Sequence, residues 1–298
     1  MKITVIGCGS IGKILLAHLT LCGHNTQGWI KSKLKSNFFV YVKKYNIDFF
    51  QKPIICNKIN HLSNSKLIIV CLKAWNISNV ILPLLQIIPK NTAILLLHNG
   101  MGVFDKINEL DHPFLVGVTT HAAWQKNNKV FHVTNGVTDI GPINKAAKSF
   151  CYIANILNKA IPIVNWHDQI STICWRKLAV NCVINPLTVI YNCKNGDLKQ
   201  YKKQINNIIF EIHQVMIKCG IIINKNKLIE YIYDTINKTT NNYSSMLQDI
   251  KNNKKTEIDY ITGYIIKQAK KYNIKTPKNN YLYYFIKKIE NVKLKYIK

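Results

Sequence analysis

The first twelve residues, MKITVIGCGSIG, constrain the fold of this chain more than any other stretch. Residues 2–6 form a short apolar, β-branched run that reads as a buried strand. Gly7-Cys8-Gly9-Ser10-Ile11-Gly12 follows, and then a helical run to Leu21 that breaks at Gly23. In a G-x-G-x-x-G sequence between a strand and a helix, the first glycine permits a tight turn and the second lets the backbone approach a pyrophosphate. The third lets the helix pack close to the strand. The pattern predicts the opening unit of a doubly wound α/β sheet, with phosphates at the helix N-terminus, where unpaired N–H groups and the helix dipole favour anions. Read as pattern alone, it also fits a glycine-rich turn without a ligand.

A second strand is expected over 25–30, and the residue at its end selects the cofactor. An enzyme that uses NAD usually carries Asp or Glu there to hold the ribose 2′-hydroxyl. This chain has Lys31-Ser32-Lys33 and no acid nearby, a set that can pair with a 2′-phosphate and points to NADP. Lysine is also simply abundant here. Residues 34–60 show little periodicity and predict a helix or irregular connection with room for a short strand. Buried strands are expected over 66–72, ending at Lys73, and over 92–97, ending in His98-Asn99-Gly100-Met101-Gly102. Lysine at the carboxyl end of a parallel strand lies where such sheets meet ligands, or it snorkels to solvent. Asn99 suits either ribose or substrate contact, or a bare turn. Further strands are expected over 114–120 and 129–141, with a turn at Asn135-Gly136. His121 and His132 stand in no visible constellation and read as structural.

After Trp166 the period becomes helical, over 168–191, 197–219, 225–250, 255–272 and 278–290. The expectation is therefore an α/β chain, a Rossmann-like dinucleotide-binding domain over 1–166 followed by an all-α domain over 167–298. Within 168–191, Lys177, Asn181 and Asn185 recur at steps of four and share one helix face. Either that face meets water, or the helix is buried and its polar row lines a cleft. The apolar residues on every other side favour the second reading. Pro186 cannot donate to the carbonyl of Cys182, which predicts a kink. Glu257 and Asp259 fit an active site or merely the acid-rich first turn of a helix.

Charge and cysteine content narrow the function classes. The net charge of +27 invites a nucleic-acid partner, but Arg176 is the one arginine among 41 basic residues. The charge is also even, with 18 basic and 5 acidic residues over 1–166 and 23 and 9 over 167–298. Without a clustered basic patch, no nucleic-acid partner is expected, although the field should draw small anions inward. Nine cysteines, an odd number with no C-x-x-C, read as reduced core thiols rather than a disulfide or metal framework. Glycines interrupt the N-terminal apolar run, and no run reaches 18 apolar residues, so neither a signal peptide nor a membrane span is expected. The expected location is the cytoplasm.

Eight segments together carry a resemblance over essentially the whole chain: MKITVIGCGSIG (1–12), LKAW (72–75), LHNGMG (97–102), TTHAA (119–123), WRKLAVNCVINPLT (175–188), NCKNG (192–196), SSMLQDI (244–250) and TEIDYI (256–261). In these the chain closely resembles the ketopantoate reductase family of bacterial pantothenate biosynthesis. The resemblance implies reduction of 2-dehydropantoate to (R)-pantoate with NADPH. It places Lys177 as the catalytic lysine and Glu257 as an active-site glutamate near the cofactor. Asn99, Asn181, Asn185, Asn195 and Ser245 match positions that contact substrate or cofactor, with Asn242, Tyr243 and Ser244 in the adjoining loop. Gly7, Cys8, Gly9, Ser10, Ile11, Gly12, Lys73 and Ala123 match cofactor-binding positions. One departure stands out, since relatives carry arginine where this chain has Lys31, and lysine loses the bidentate fork. No metal is implied, and the protein is expected as a monomer or homodimer. Two rivals are a reductase of another 2-keto acid and a non-catalytic NADPH sensor.

Overall fold

The computed structural model describes residues 1–32, 36–45, 47–103, 111–161 and 163–295; Lys33 lies outside them. The chain divides into two compact units. The first comprises Met1–His98 and Val103–Ile170; the second comprises Asn99–Gly102 and Ser171–Lys298.

The first unit opens with β1 (Lys2–Ile6), α1 (Ser10–Leu21) and β2 (Asn25–Trp29), then β3 (Asn37–Lys44), β4 (Ile47–Ile55) and the short α2 (Ile59–Ser63). β5 (Leu67–Val70), α3 (Ala74–Leu84), β6 (Ala93–Leu97) and β7 (Phe114–Thr119) continue the αβ alternation. β8 (Ala122–Lys126), β9 (Lys129–Thr134), β10 (Thr138–Pro142), α4 (Tyr152–Ala160) and β11 (Val164–Trp166) complete it. Seven strands form one sheet in the order β11-β10-β7-β6-β5-β1-β2. From β2 to β7 every pairing is parallel, and β10 turns antiparallel on β7. The inner strands are apolar along their whole length because both faces are covered; β5 and β6 are buried at every residue. Ile3, Val5, Leu15, Leu19, Ile69 and Leu95 are among the residues of the shared core. The chain reverses direction across the sheet between β1 and β5. The carboxyl ends of those strands, which carry the glycine loop and Lys73, are thus the switch point where open α/β sheets take ligands.

The 34–60 region departs from expectation. It forms two long strands, β3 and β4, in a second sheet of order β4-β3-β9-β8. Val40, Val42, Phe50 and Val130 bury one face of it, while Phe39 and Trp124 remain exposed on the sheet. The register shifts between Val42 and Lys43, and such a bulge interrupts the alternation that marks a strand in sequence.

His121 and His132 belong to this packing. Their Nδ1 and Nε2 atoms lie 3.0 Å apart, and His18 of α1 stands edge-on to His132 and 4.5 Å from the Phe49 ring. Burial, with the nearby Lys44 and the other histidines, pulls His18 and His121 down to about 4, and burial with Lys44 lowers His132. The unfolded chain, with ordinary values near 6.5, takes up protons that the folded chain refuses until about pH 4. Stability should therefore be full above pH 6.5 and fall as the pH drops to 4. A melting series across that window should show the fall, and a His18→Gln/His121→Gln variant a shallower one. An equal slope in both proteins would remove the histidines as its cause.

The second unit is helical: α5 (Ser171–Tyr191), α6 (Lys202–Lys218), α7 (Lys225–Lys238), α8 (Ser245–Lys251), α9 (Thr262–Lys271) and α10 (Pro277–Lys295). α5 packs against α6, α7, α8 and α10 and is buried from Leu178 to Val189. It is long and apolar enough by composition to cross a bilayer, but 78% of its most apolar window is buried inside the unit, as in the central helix of a bundle. It continues through Pro186 to Tyr191. The single helix expected over 225–250 is two, broken after Lys238 and restarted by Ser244, whose hydroxyl accepts from the Leu247 N–H. Residues 195–201 and 258–260 are 3-10 turns rather than α-helix. The C-terminal stretch from Asn291 is helical as far as Lys295.

Candidate active site

In the first unit the glycine loop has the geometry that its sequence demands. Gly7 sits at φ +92°, and a Cβ there would stand 2.8 Å from the Cys71 carbonyl oxygen. A Cβ on Gly12 would stand 2.2 Å from the Gly7 carbonyl oxygen, whereas one on Gly9 would meet nothing within 4 Å. Gly7 and Gly12 are thus required by the chain itself, while the space beside Gly9 is open. α1 starts without a side-chain cap and without an acid in its first turn, so its first N–H groups are available to an anion. This arrangement fits a dinucleotide pyrophosphate. Cys8 lies inside the loop, and burial pushes its thiol up to about 12, a shift that disfavours the nucleophilic thiolate.

Lys31 follows β2 and is exposed. The loop around it is fixed by a residue that the sequence did not single out. Asn57, at φ 56°, accepts from the Ile30 N–H at 2.9 Å and donates to the Ser32 carbonyl at 2.7 Å. Asparagine's tolerance of positive φ is the one sequence signal for it. Lys73 stands at the N-cap position of α3, without a side-chain capping bond, and Ala123 pairs with His132 in the second sheet.

In the second unit the polar row lies on α5 as its spacing requires. Asn181 and Asn185 are 7% and 5% exposed, and Lys177 is half-buried. The Lys177 ammonium has no hydrogen-bond or ion-pair partner among the described residues, and burial pulls its pKa below the ordinary lysine value. The buried Nδ2 of Asn181 and Oδ1 of Asn195 also lack partners among the described residues. Each such orphan costs about 1–3 kcal/mol, a cost a fold retains where a ligand completes the bonding.

Asn99 and Glu257 are brought together although 158 positions separate them. The Asn99 Nδ2 donates to the Glu257 Oε2 at 3.3 Å, and the Met101 N–H to the Tyr260 carbonyl at 2.7 Å. Gly100 makes this approach possible: at φ +81°, its Cβ would lie 2.3 Å from the Tyr260 oxygen. Glu257 is 4% exposed. Asn195 and Asn242 also meet, the Asn195 N–H donating to the Asn242 carbonyl at 2.9 Å and its Nδ2 to the Thr239 hydroxyl at 2.9 Å. Tyr243 and Ser245 are exposed. Ser244 differs from its neighbours, because its buried hydroxyl is engaged by the cap and by the Thr188 hydroxyl at 2.6 Å. Thr188, at 0% exposure, is a further residue that periodicity could not reveal. Among the described residues no group of His, Cys, Asp or Glu could hold a metal ion.

A glycine loop at the switch point of a doubly wound sheet, with a helical unit that carries a half-buried lysine and buried amide atoms lacking partners among the described residues, defines a two-unit Rossmann-type protein that binds a dinucleotide. The family model described as ketopantoate reductase PanE/ApbA matches residues 3–145, and its C-terminal counterpart matches residues 169–290. The chain is 42% identical to the 2-dehydropantoate 2-reductase of Yersinia pestis, across 98% of this chain and 96% of that one. It is 40% identical to that of Escherichia coli O157:H7, with the same coverage. In fold it matches the structure of D-mandelate dehydrogenase with NADH and anilino(oxo)acetate, with a TM-score of 0.89 at 23% identity and coverage of 98% and 99%. It also matches a PanE/ApbA family ketopantoate reductase from Ralstonia eutropha, with a TM-score of 0.87 at 21% identity and the same coverage. The chain belongs to the ketopantoate reductase family.

Proposed function

We propose that this chain reduces 2-dehydropantoate to (R)-pantoate with NADPH, in pantothenate biosynthesis, as a cytoplasmic monomer or homodimer. The observation that carries the reading is Lys177, a partly buried ammonium without a partner among the described residues, on a helix that also carries the unsatisfied Nδ2 of Asn181. The near full-length similarity to relatives named 2-dehydropantoate 2-reductase supports the choice of substrate.

The Gly7–Gly12 loop and the α1 N-terminus would hold the pyrophosphate, with Lys31 and Ser32 at the 2′-phosphate. Lys73, Asn99, Ala123 and Glu257 would serve the remainder of the cofactor. NADPH, when bound, supplies the hydride. Lys177 hydrogen-bonds the ketone oxygen, stabilises the negative charge that builds there, and delivers the proton that completes the alcohol. A pKa lowered by burial makes it a better acid for this step. The spare donor of Asn181 suits an oxygen of the keto acid, and the spare acceptor of Asn195 suits the substrate's hydroxyl. Asn185, Asn242, Tyr243 and Ser245 would complete the orientation of the substrate. Glu257 takes a hydrogen bond from Asn99, which binds the two into one active-site element.

NADPH oxidation should proceed with 2-dehydropantoate and be far slower with other 2-keto acids at the same concentration. Preference for a different 2-keto acid would overturn the substrate assignment. No oxidation with any of them would favour a non-catalytic NADPH-binding protein.

A further inference from the structure

The turn that carries Glu257 does not hold itself. Residues 258–260 make a single 3-10 turn, flanked by Glu257 at φ −101°, ψ 21° and Ile261 at φ −101°, ψ −94°. One such turn is marginal in isolation. Its geometry is imposed by the last helix. Glu290 of α10, 2% exposed, accepts from the Thr256 N–H at 2.6 Å. Its other oxygen is 3.3 Å from the Lys287 ammonium, which in turn lies 3.1 Å from Asp259. Tyr283 donates to the second oxygen of Asp259 at 2.8 Å. The Thr256 hydroxyl accepts from the Ile258 N–H at 3.2 Å. The residue before Glu257 and the second residue after it are thus gripped by three side chains from two turns of α10.

We propose that Glu290, with Lys287, Asp259 and Tyr283, is the positioning unit for Glu257, fixing its carboxylate where Asn99 and the reaction use it. This rests on the reading of Glu257 as an active-site residue. A buried carboxylate is costly unless every partner is present. Both oxygens of Glu290 are engaged, one by a backbone N–H and one by an ammonium, so the turn has little freedom to shift without breaking a charged contact. The same turn receives the Asn99 loop through the Tyr260 carbonyl, so a displacement at Thr256 would carry to both members of the Asn99–Glu257 pair.

A double-mutant cycle on the full-length enzyme tests this, with kcat/KM for 2-dehydropantoate and melting temperature as readouts. Glu290→Ala should lower kcat/KM by about tenfold in the wild-type background and by less than about twofold in a Glu257→Gln background, because coupled residues are non-additive. Glu290→Gln keeps an acceptor for Thr256 and should recover most of the loss. Tyr283→Phe, which preserves the packed ring, should show a smaller loss that also vanishes on Glu257→Gln; it decides the matter if Glu290→Ala does not fold. Equal losses in both backgrounds would overturn the proposal, as would a lowered melting temperature with unchanged kcat/KM. If Glu257→Gln alone leaves turnover intact, the reading of Glu257 itself fails, an outcome separate from failure of the coupling.

Discussion

Lys177→Ala should lower kcat with 2-dehydropantoate by about 10²–10⁴, the range for loss of a positioned proton donor. Affinity for NADPH, followed by quenching of protein fluorescence, should stay within about twofold, because the glycine loop proposed to hold the phosphates belongs to the other unit of the chain. The variant should not be less stable. The ammonium has no partner among the described residues and burial disfavours its charged form, so alanine removes a desolvation penalty rather than a bond. The wild-type pH profile carries a second signature. A general acid must be protonated, so kcat/KM should fall as the pH rises through the pKa of Lys177. That limb should lie below the ordinary lysine value because burial lowers the pKa. Near wild-type turnover in the alanine variant, or an alkaline limb at or above the ordinary value, would remove Lys177 from the chemistry.

The second large effect separates glycines that the chain needs from a glycine that the ligand needs. Gly12→Ala places a methyl 2.2 Å from the Gly7 carbonyl oxygen, and Gly7 is itself pressed against the end of β5 at Cys71. Neither is a flexible side-chain end, so the loop must open. The variant should lose about 1–3 kcal/mol or more of stability, as overpacked sites do, together with measurable NADPH binding. Gly9→Ala meets nothing within 4 Å and sits at an ordinary φ of −76°. Its melting temperature should hold or rise, since alanine loses less chain entropy on folding. Its Kd for NADPH should nevertheless rise by about tenfold, or ~1.4 kcal/mol, because the new methyl occupies the approach of the pyrophosphate. A Gly9→Ala protein with unchanged NADPH affinity would refute the placement of the phosphates.

The features legible in the sequence are those whose cause is local. KITVI followed by G-C-G-S-I-G predicts strand, turn and helix, because a turn at φ +92° and a helix packed onto that turn leave room for hydrogen alone. The row Lys177, Asn181, Asn185 is legible because helical period alone places the three on one face. Residues 34–60 were not legible. Their lysine-rich composition masks alternation, the bulge after Val42 breaks it, and β3 finds its parallel partner β9 far along the chain. The break inside 225–250 was obscured for a similar reason. Ser244 becomes a helix cap when its hydroxyl is held by Thr188, 56 residues earlier. Likewise, Asn57 shows its purpose through its contacts at Ile30 and Ser32.

By itself, then, the sequence determined the dinucleotide-binding start, the change from αβ alternation to helices, and the residue types of the candidate site, because each is written in spacing along a single element. The tertiary structure alone decided which residues support them. Asn99 reaches Glu257 across 158 positions, Glu290 grips the turn before Glu257 from the far end of the chain, and burial lowers the pKa of Lys177. Contacts between distant segments and the loss of water around a charge belong to the packed chain, and no local pattern of residues encodes them.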